Sequence, residues 1–404
     1  MKVTIEKGLA EGNVKAPPSK SMAHRFLICA ALAEGVSVLH GMSDCEDVRA
    51  TIDCLTALGV PVTVDGDTVT VEGIDMTRAV PRGVLDCRES GSTLRFLIPL
   101  ALMCEKNVML TGTEKLLSRP LSIYKNLSDE KNFVFLQDEG SVMIRGPLES
   151  GDFRVAGNVS SQFISGLLFA LPLAKGDSTI TITPPIESRS YIELTLSALC
   201  EFGVSACWQD DHTLSIKGGQ HYKPTETEIE GDYSGAAFYH ALNTLGASVS
   251  VSGLRENSLQ GDKVYSRYFD MLCKGTPTIH IGDCPDLGPV LFALAAAKFG
   301  GVFTGTSRLR LKESDRASAM ASELCKFGAS VTVHEDDVVV YPTDFHAPDS
   351  VLSGHNDHRI VMSLSVLLTA TGGVIDGAEA VSKSLPTFFE DMESLGIVLT
   401  KEGR

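Results

Sequence analysis

One pattern of polar and apolar positions recurs six times along this chain. A short polar cluster opens an apolar run long enough for a helix at Ser19-Lys20-Ser21, Ser90-Gly91-Ser92-Thr93, Ser160-Ser161-Gln162, Asp232-Tyr233-Ser234, Pro285-Asp286 and Asn356-Asp357-His358, at intervals of roughly 50 to 75 residues. Ser, Asp and Asn side chains accept hydrogen bonds from first-turn amides, so each cluster predicts a helix start. Most of these runs meet a glycine stop, at Gly35, Gly176, Gly246, Gly300 and Gly372. A β-like run follows each one: VSVLHG from Val36, NVMLTG from Asn107, STITIT from Ser178, SVSVSG from Ser248, GVFTGT from Gly301 and GVIDGA from Gly373. A second, amphipathic helix comes next. Two of these end almost identically, in ALCEFGV from Ala198 and ELCKFGA from Glu323. Alternating segments with a tight polar turn, such as VTVDGDTVTVEG from Val62 and SVTVHEDDVVVY from Ser330, predict closing hairpins.

The predicted unit is therefore helix–strand–helix–hairpin, with a shortened hairpin in the fourth copy. Such a unit cannot bury its apolar face alone, so neighbours must stack. The polar, Gly-, Pro- and Glu-rich stretch from Lys217 to Gly231 separates the third copy from the fourth. Together with Pro17-Pro18 it brackets a block of three units. We expect a three-plus-three grouping rather than one continuous solenoid.

Composition narrows the function classes. Of 404 residues, 43% are apolar and 21% charged, which supports a large core and excludes global disorder. The 51 acidic and 35 basic residues leave a net charge of -16, which argues against nucleic acid or an anionic membrane as partner. The lone Trp208 and the eight tyrosines form no basic, base-stacking stripe. The ten cysteines include no C-x-x-C pair and read as buried free thiols in a reducing, cytoplasmic setting. The opening MKVTIEKGLAEGNVK lacks the apolar core of a signal peptide. The charge-free run from Val155 to Ala174 is too interrupted by polar residues to span a membrane.

Cations and hydroxyls concentrate at the unit starts. Pro17-Pro18 enforces an extended entry, Ser19 or Lys20 caps, and Lys20, Ser21 and Arg25 fall on the first turns of a helix running to Ala33. Helix amides and the dipole favour an anion there. A capped helix with two solvated cations is the plainer alternative. In the second unit, hydroxyls flank Gly91, Arg95 lies one turn on, and Arg119-Pro120 occupies the following loop. Glycine here either admits a ligand to the backbone or serves packing. The third unit offers Ser160, Ser161 and Gln162, then Ser188 to Tyr191 in the equivalent loop, more hydroxyls than capping needs.

The fifth unit is densest. Lys312 and Arg316 stand four apart, as on one helix face, with Glu313 between them in a sequence that begins at Arg308. A structural ion pair is the competing reading, and Asp286 could be only an N-cap. Lys383 repeats the unit-relative position of Arg119. One end of the units thus carries Lys or Arg, as if facing a common anion-binding cleft. The run His355 to Arg359 does not present tetrahedral ligands, so no metal is expected. Phosphate-loop, dinucleotide and nucleophile-elbow motifs are absent, and Ser122 to Lys125 matches S-x-x-K without its companion motifs.

These residues carry a resemblance. APPSKSMAHR from Ala16, ESGSTLRFL from Glu89, LLSRPL from Leu116, SSQF from Ser160, LKESDR from Leu311, NDHR from Asn356 and KSLPTFF from Lys383 resemble, in order and over nearly the whole chain, the 5-enolpyruvylshikimate-3-phosphate synthase family. The resemblance implies a two-domain inside-out α/β barrel fold with three βαβαββ units per domain, hinged around an interdomain cleft. Residues 18–230 would form one domain, mainly on the shikimate 3-phosphate side. Residues 1–17 with 231–404 would form the other, carrying mainly the phosphoenolpyruvate site and the catalytic carboxylates.

The implied reaction moves the enolpyruvyl group of phosphoenolpyruvate to the 5-hydroxyl of shikimate 3-phosphate by addition and elimination, without a cofactor. A single chain is expected to suffice. By position, Lys20, Ser21, Arg25, Ser160, Ser161, Gln162, Ser188, Asp286, Arg308 and Lys312 would hold shikimate 3-phosphate. Lys20, Gly91, Arg119, Gln162, Arg316, Arg359 and Lys383 would hold phosphoenolpyruvate, with Arg95 and Tyr191 in support. Asp286 would take the hydroxyl proton, Glu313 would protonate the methylene carbon, and Lys20 would assist.

Two positions depart from the family pattern: Glu89 and Arg308 stand where Asn is usual. Glu89 could be compensated by Arg308 or Arg88. The small Gly91 is kept, which in the family also leaves room for glyphosate. The sister enzyme acting on UDP-N-acetylglucosamine fits less well, because Lys20 is followed by Ser21 rather than Asn and the loop from Thr113 to Pro120 has no Cys. A non-catalytic anion-binding repeat protein is the alternative outside enzymes.

Overall fold

Side-chain caps start five of the six first helices where the pattern predicts them. In the computed structural model, which describes residues 1–403, the side chains of Ser19, Ser90, Ser160, Asp232 and Asp357 accept from amides of the first turn of helices Lys20–Leu32, Gly91–Ala101, Ser161–Ala170, Tyr233–Thr244 and His358–Thr371. The fifth start differs. Pro285–Leu287 forms a 3-10 turn running directly into helix Gly288–Ala297, and no side chain caps either. Asp286 is therefore not an N-cap, and its carboxylate is committed elsewhere.

These first helices are apolar nearly all round. Every residue from Met22 to Leu32 and from Gly288 to Ala296 is buried, each large side chain contributing roughly 1.5–3 kcal/mol of burial. Second helices such as Glu46–Ala57 and Tyr265–Lys274 keep a polar face exposed.

Each unit adds a sheet to this core. In the third unit, strand Asp152–Ala156 runs parallel to Ser178–Thr183, which pairs antiparallel with Thr213–Ile216, which pairs antiparallel with Ala206–Trp208. The same order of one parallel and two antiparallel pairings recurs in four other four-stranded sheets, giving six sheet units in all. The strand before each first helix escapes the hydrophobic pattern, since it can be as short as Leu85–Asp86 or Leu352–Ser353. The fourth unit has only the parallel pair Glu11–Lys15 and Ser248–Ser252, as its missing hairpin pattern predicts. Strand Glu226–Glu228 completes the first unit's sheet and Lys2–Ile5 the last unit's, so distant segments close each set of three.

The chain divides into two compact units, Pro18–Glu230 and Met1–Pro17 with Gly231–Arg404. Each has its own apolar core, one including Phe26, Phe96, Phe169 and Phe202, the other Phe238, Phe292, Phe303 and Phe388. Among the described residues, no helix is long and apolar enough to cross a membrane. Six cysteines are buried, but Cys200, Cys207, Cys273 and Cys325 are exposed. The reading of the thiols as packed core residues holds only for the first set, because helix and strand faces turned to solvent carry the other four.

Where each hairpin leaves its sheet in the first three units, it crosses the C-terminal end of that unit's first helix. Ile74, Leu148 and Gly219 amides donate there to the carbonyls of Ala31, Leu102 and Ala174, at 3.0, 2.8 and 2.7 Å, supplying partners for carbonyls that a helix end leaves unpaired. The approach is so close that a Cβ on Gly73, Gly146 or Gly218 would lie 2.0, 1.9 or 2.1 Å from a backbone oxygen. Gly140, by contrast, has nothing within 4 Å of such an atom. Gly73→Ala and Gly146→Ala should each lower stability by about 1–3 kcal/mol or more, while Gly140→Ala should stay within about 0.5 kcal/mol. Urea unfolding midpoints check this; equal midpoints for Gly73→Ala and Gly140→Ala would refute the close-approach account.

Candidate active site

The candidate residues fall into two groups, one in each compact unit. In the unit spanning 18–230, the Ser19 cap places Lys20 and Ser21 on the first turn, where Lys20 Nζ meets Asp47 Oδ2 at 2.8 Å. Arg25, one turn on, is 3% exposed rather than solvated. Its Nη1 donates to the Ser21 carbonyl at 2.6 Å, its Nη2 to the Tyr191 carbonyl at 2.9 Å and its Nε to Thr195 Oγ1 at 2.9 Å. All three acceptors are neutral. Burial lowers the Arg25 guanidinium to about 10, still cationic at neutral pH, so the helix start holds a buried positive charge. Buried Ser188 begins helix Arg189–Glu201 with a left-handed φ of 57°, beside the Tyr191 turn that grips Arg25.

A second cluster surrounds Gly91. Arg95 Nη1 donates to Gln162 Oε1 at 2.7 Å, and Gln162 Nε2 donates to Ser92 Oγ at 2.9 Å. A Cβ on Gly91 would meet Arg119 Nη1 and Arg95 Nη1, each at 3.1 Å, so glycine keeps open the space at which both guanidinium groups aim. Arg119 is 8% exposed, and its buried Nε has no hydrogen-bond partner. A buried donor without an acceptor is destabilising, and an anion at this position would satisfy it. Ser160 caps helix Ser161–Ala170, and the buried Ser161 lies on its first turn beside Gln162. Arg88 pairs with Asp53 at 2.5 Å.

Beneath these groups runs a buried chain that the sequence reading missed. His24 Nδ1, Thr51 Oγ1, Thr93 Oγ1 and Ser90 Oγ follow one another at 2.8, 2.7 and 2.7 Å. Burial, with Lys20 and Arg25 nearby, holds the His24 pKa well below its ordinary value, so the ring is neutral. The chain ties three helices together, and single polar residues within apolar runs gave no periodic signal to find it.

In the other unit, Asp286 is the hub. Its Oδ1 accepts from Arg316 Nη1 at 2.8 Å and Lys312 Nζ at 3.1 Å, and its Oδ2 from Arg359 Nη2 at 3.4 Å. Arg316, only 1% exposed, also donates from Nη2 to Glu313 Oε2 at 2.7 Å and from Nε to Asp357 Oδ2 at 2.8 Å. Burial opposes its charge, but Asp357, Glu313 and Asp286 outweigh burial and raise its pKa. Lys312 does not share a helix face with Arg316. It ends the 3-10 turn Ser307–Leu311, whereas Arg316 begins helix Arg316–Cys325, and the two meet through Asp286 because the chain turns between them. The structural ion pair and the candidate site are here the same atoms.

Arg359 has a buried Nε and Nη1 without hydrogen-bond partners. Lys383 Nζ donates to the Asn356 carbonyl at 2.6 Å, and the buried Arg308 reaches the Gly282 carbonyl at 3.4 Å. Asp262, also missed from sequence, is buried against Ser234 Oγ and pushed up to about 6 by burial and then by Asp286. Chemically, this group offers cations for phosphate and carboxylate beside two carboxylates that can exchange protons. Among the described residues, no set of three or more His, Cys, Asp or Glu side chains could hold a metal ion.

Known proteins resemble the chain over its whole length. The family described as EPSP synthase (3-phosphoshikimate 1-carboxyvinyltransferase) matches residues 5–392. The 3-phosphoshikimate 1-carboxyvinyltransferase of Clostridium kluyveri is 40% identical over 415 residues, covering 98% of this chain and 97% of the relative. That of Clostridium acetobutylicum is 39% identical over 416 residues, covering 98% and 97%. In structure, the chain is similar to EPSP synthase from Acinetobacter baumannii, with a TM-score of 0.79 at 23% identity over all of both chains. The enolpyruvyl transferase NikO from Streptomyces tendae shares the fold, with a TM-score of 0.79 at 15% identity over 99% of this chain and 98% of that one. With motifs, sheet order and sequence similarity agreeing along its length, this chain belongs to the EPSP synthase family.

Proposed function

We propose that this chain transfers the enolpyruvyl group of phosphoenolpyruvate to the 5-hydroxyl of shikimate 3-phosphate and releases phosphate, a step of aromatic amino acid biosynthesis. The observation that carries the reading is a pair of buried arginines, Arg119 and Arg359, with guanidinium nitrogens that have no acceptor in the protein. Buried donors in this state call for an anionic ligand, and each charge-assisted hydrogen bond to one is worth about 1.5–3 kcal/mol.

In this reading the 18–230 group mainly holds shikimate 3-phosphate, through Lys20, Ser21, Arg25, Ser160, Ser161, Gln162 and Ser188. Arg308 and Lys312 supplement these contacts. Arg119, Arg359, Lys383 and the space over Gly91 receive phosphoenolpyruvate, with Lys20 and Gln162 reaching both substrates. Arg316 acts differently, since its nitrogens already serve Asp286, Glu313 and Asp357. It holds three carboxylates in place.

The chemistry follows from that placement. Glu313 delivers a proton to the methylene carbon of phosphoenolpyruvate, leaving positive character on the adjacent carbon. The 5-hydroxyl oxygen attacks there while Asp286 takes its proton, giving a tetrahedral adduct. Loss of a proton from the new methyl group and departure of phosphate with its C–O electron pair restore the double bond. An acid and a base close together need distinct environments. Asp286 faces Lys312, Arg316 and Arg359, and Glu313 pairs with Arg316.

Three outcomes test the reading. Phosphate release should require both substrates, and Asp286→Asn and Lys20→Ala should each lower turnover by about a hundredfold while the variants stay folded. Near-normal turnover in either would remove that residue from the site, and no phosphate release from wild type despite binding of each substrate would favour a non-catalytic binder. Arg359→Gln should raise the phosphoenolpyruvate KM by about tenfold and change that for shikimate 3-phosphate much less; the reverse ranking would move Arg359 to the other substrate. Arg316→Gln should instead lose stability first, by about 3–5 kcal/mol, because it strands buried carboxylates. A thermal melt equal to wild type would contradict that role.

A further inference from the structure

We infer that Glu323 is a positioning residue for the phosphoenolpyruvate-binding cations, acting through the turn Ser353 to Asp357. Glu323 lies on helix Arg316–Cys325 seven residues beyond Arg316, two turns and about 10 Å along the same helix face. That face grips the segment leading into helix His358–Thr371 at two places. Arg316 holds Asp357 at one of them. At the other, Glu323, only 2% exposed, accepts from the Ser353 amide and Lys326 Nζ through Oε2, at 2.9 and 2.8 Å, and contacts His355 Nε2 through Oε1 at 2.9 Å. Lys326 Nζ extends the grip to the Val351 carbonyl at 3.0 Å.

The segment between the two grips is left-handed. His355 and Asn356 take left-handed φ values of 49° and 51° in succession, a conformation that costs a side-chain-bearing residue more than it costs glycine. The consequence reaches the site. The turn directs the Asn356 carbonyl to Lys383 Nζ at 2.6 Å and delivers Asp357 to Arg316 and to the amide of Arg359. A carboxylate needed only to neutralise Lys326 would not commit both oxygens to this turn. Loss of the clamp releases the backbone that aims Lys383 and steadies the start of the Arg359 helix, while Asp286 and Glu313 keep their own contacts with Arg316.

The inference rests on the proposed function. Its test compares steady-state kinetics of wild type, Glu323→Met, His355→Phe and the double variant Glu323→Met/His355→Gly. Glu323→Met removes all three acceptors at similar volume. His355→Phe removes one contact and leaves the buried carboxylate in place, so it reports even if the first variant does not fold. Both should raise the phosphoenolpyruvate KM, by at least about fivefold for Glu323→Met, with kcat and the shikimate 3-phosphate KM within about twofold. Glycine adopts the left-handed conformation without a clamp, so the double variant should return the phosphoenolpyruvate KM to within about twofold of wild type. An unmoved phosphoenolpyruvate KM in both single variants, or a raised one that His355→Gly fails to restore, overturns the inference and leaves Glu323 a stability residue. If wild type itself releases no phosphate from the two substrates, the functional reading falls and this inference falls with it.

Discussion

A helix buried on every side can offer polar chemistry only at its ends, and that constraint governs this protein. The first helices of the units carry almost no polar surface; every residue from Gly288 to Ala296, for example, is buried. Their C-terminal carbonyls are met by the protein itself where hairpin backbones cross them at Gly73, Gly146 and Gly218. Their N-terminal ends are met differently, by Ser, Asp and cationic side chains gathered on the first turns. Amides and cations at those ends make anion binding a direct consequence of how the core is built.

The cations so gathered are not equivalent. Arg316 donates to three carboxylates. Each guanidinium nitrogen of Arg25 donates to a neutral acceptor, so these acceptors do not cancel its charge. Arg119 and Arg359 retain buried nitrogens without acceptors. Under the proposed function the three conditions correspond to different work: holding carboxylates in place, attracting an anion through its charge, and contacting it directly. Glu323 adds a further level, since it fixes a left-handed turn whose carbonyl and carboxylate place Lys383 and Arg316.

Much of this was legible beforehand. Caps at Ser19, Ser90, Ser160, Asp232 and Asp357, the alternating hairpins and the short fourth unit followed from pattern, because capping and amphipathicity are local properties. Strands as short as Leu85–Asp86 were invisible because two residues carry no period. The buried chain from His24 through Thr51 and Thr93 to Ser90 joins positions up to tens of residues apart and left no mark in any single window.

The sequence by itself determined which residue types stand at each helix start, and thereby the unit, its repetition and the anionic class of ligand. Only the tertiary structure decided how those residues divide their work. Along the chain Asp286 could be only a cap, but it is the hub of three cations, and Lys312 reads as a helical neighbour of Arg316 but meets it through that carboxylate. The physical reason is that capping and helix propensity act over a few residues, whereas the charge balance of a buried arginine depends on which distant carboxylates folding brings within hydrogen-bond reach.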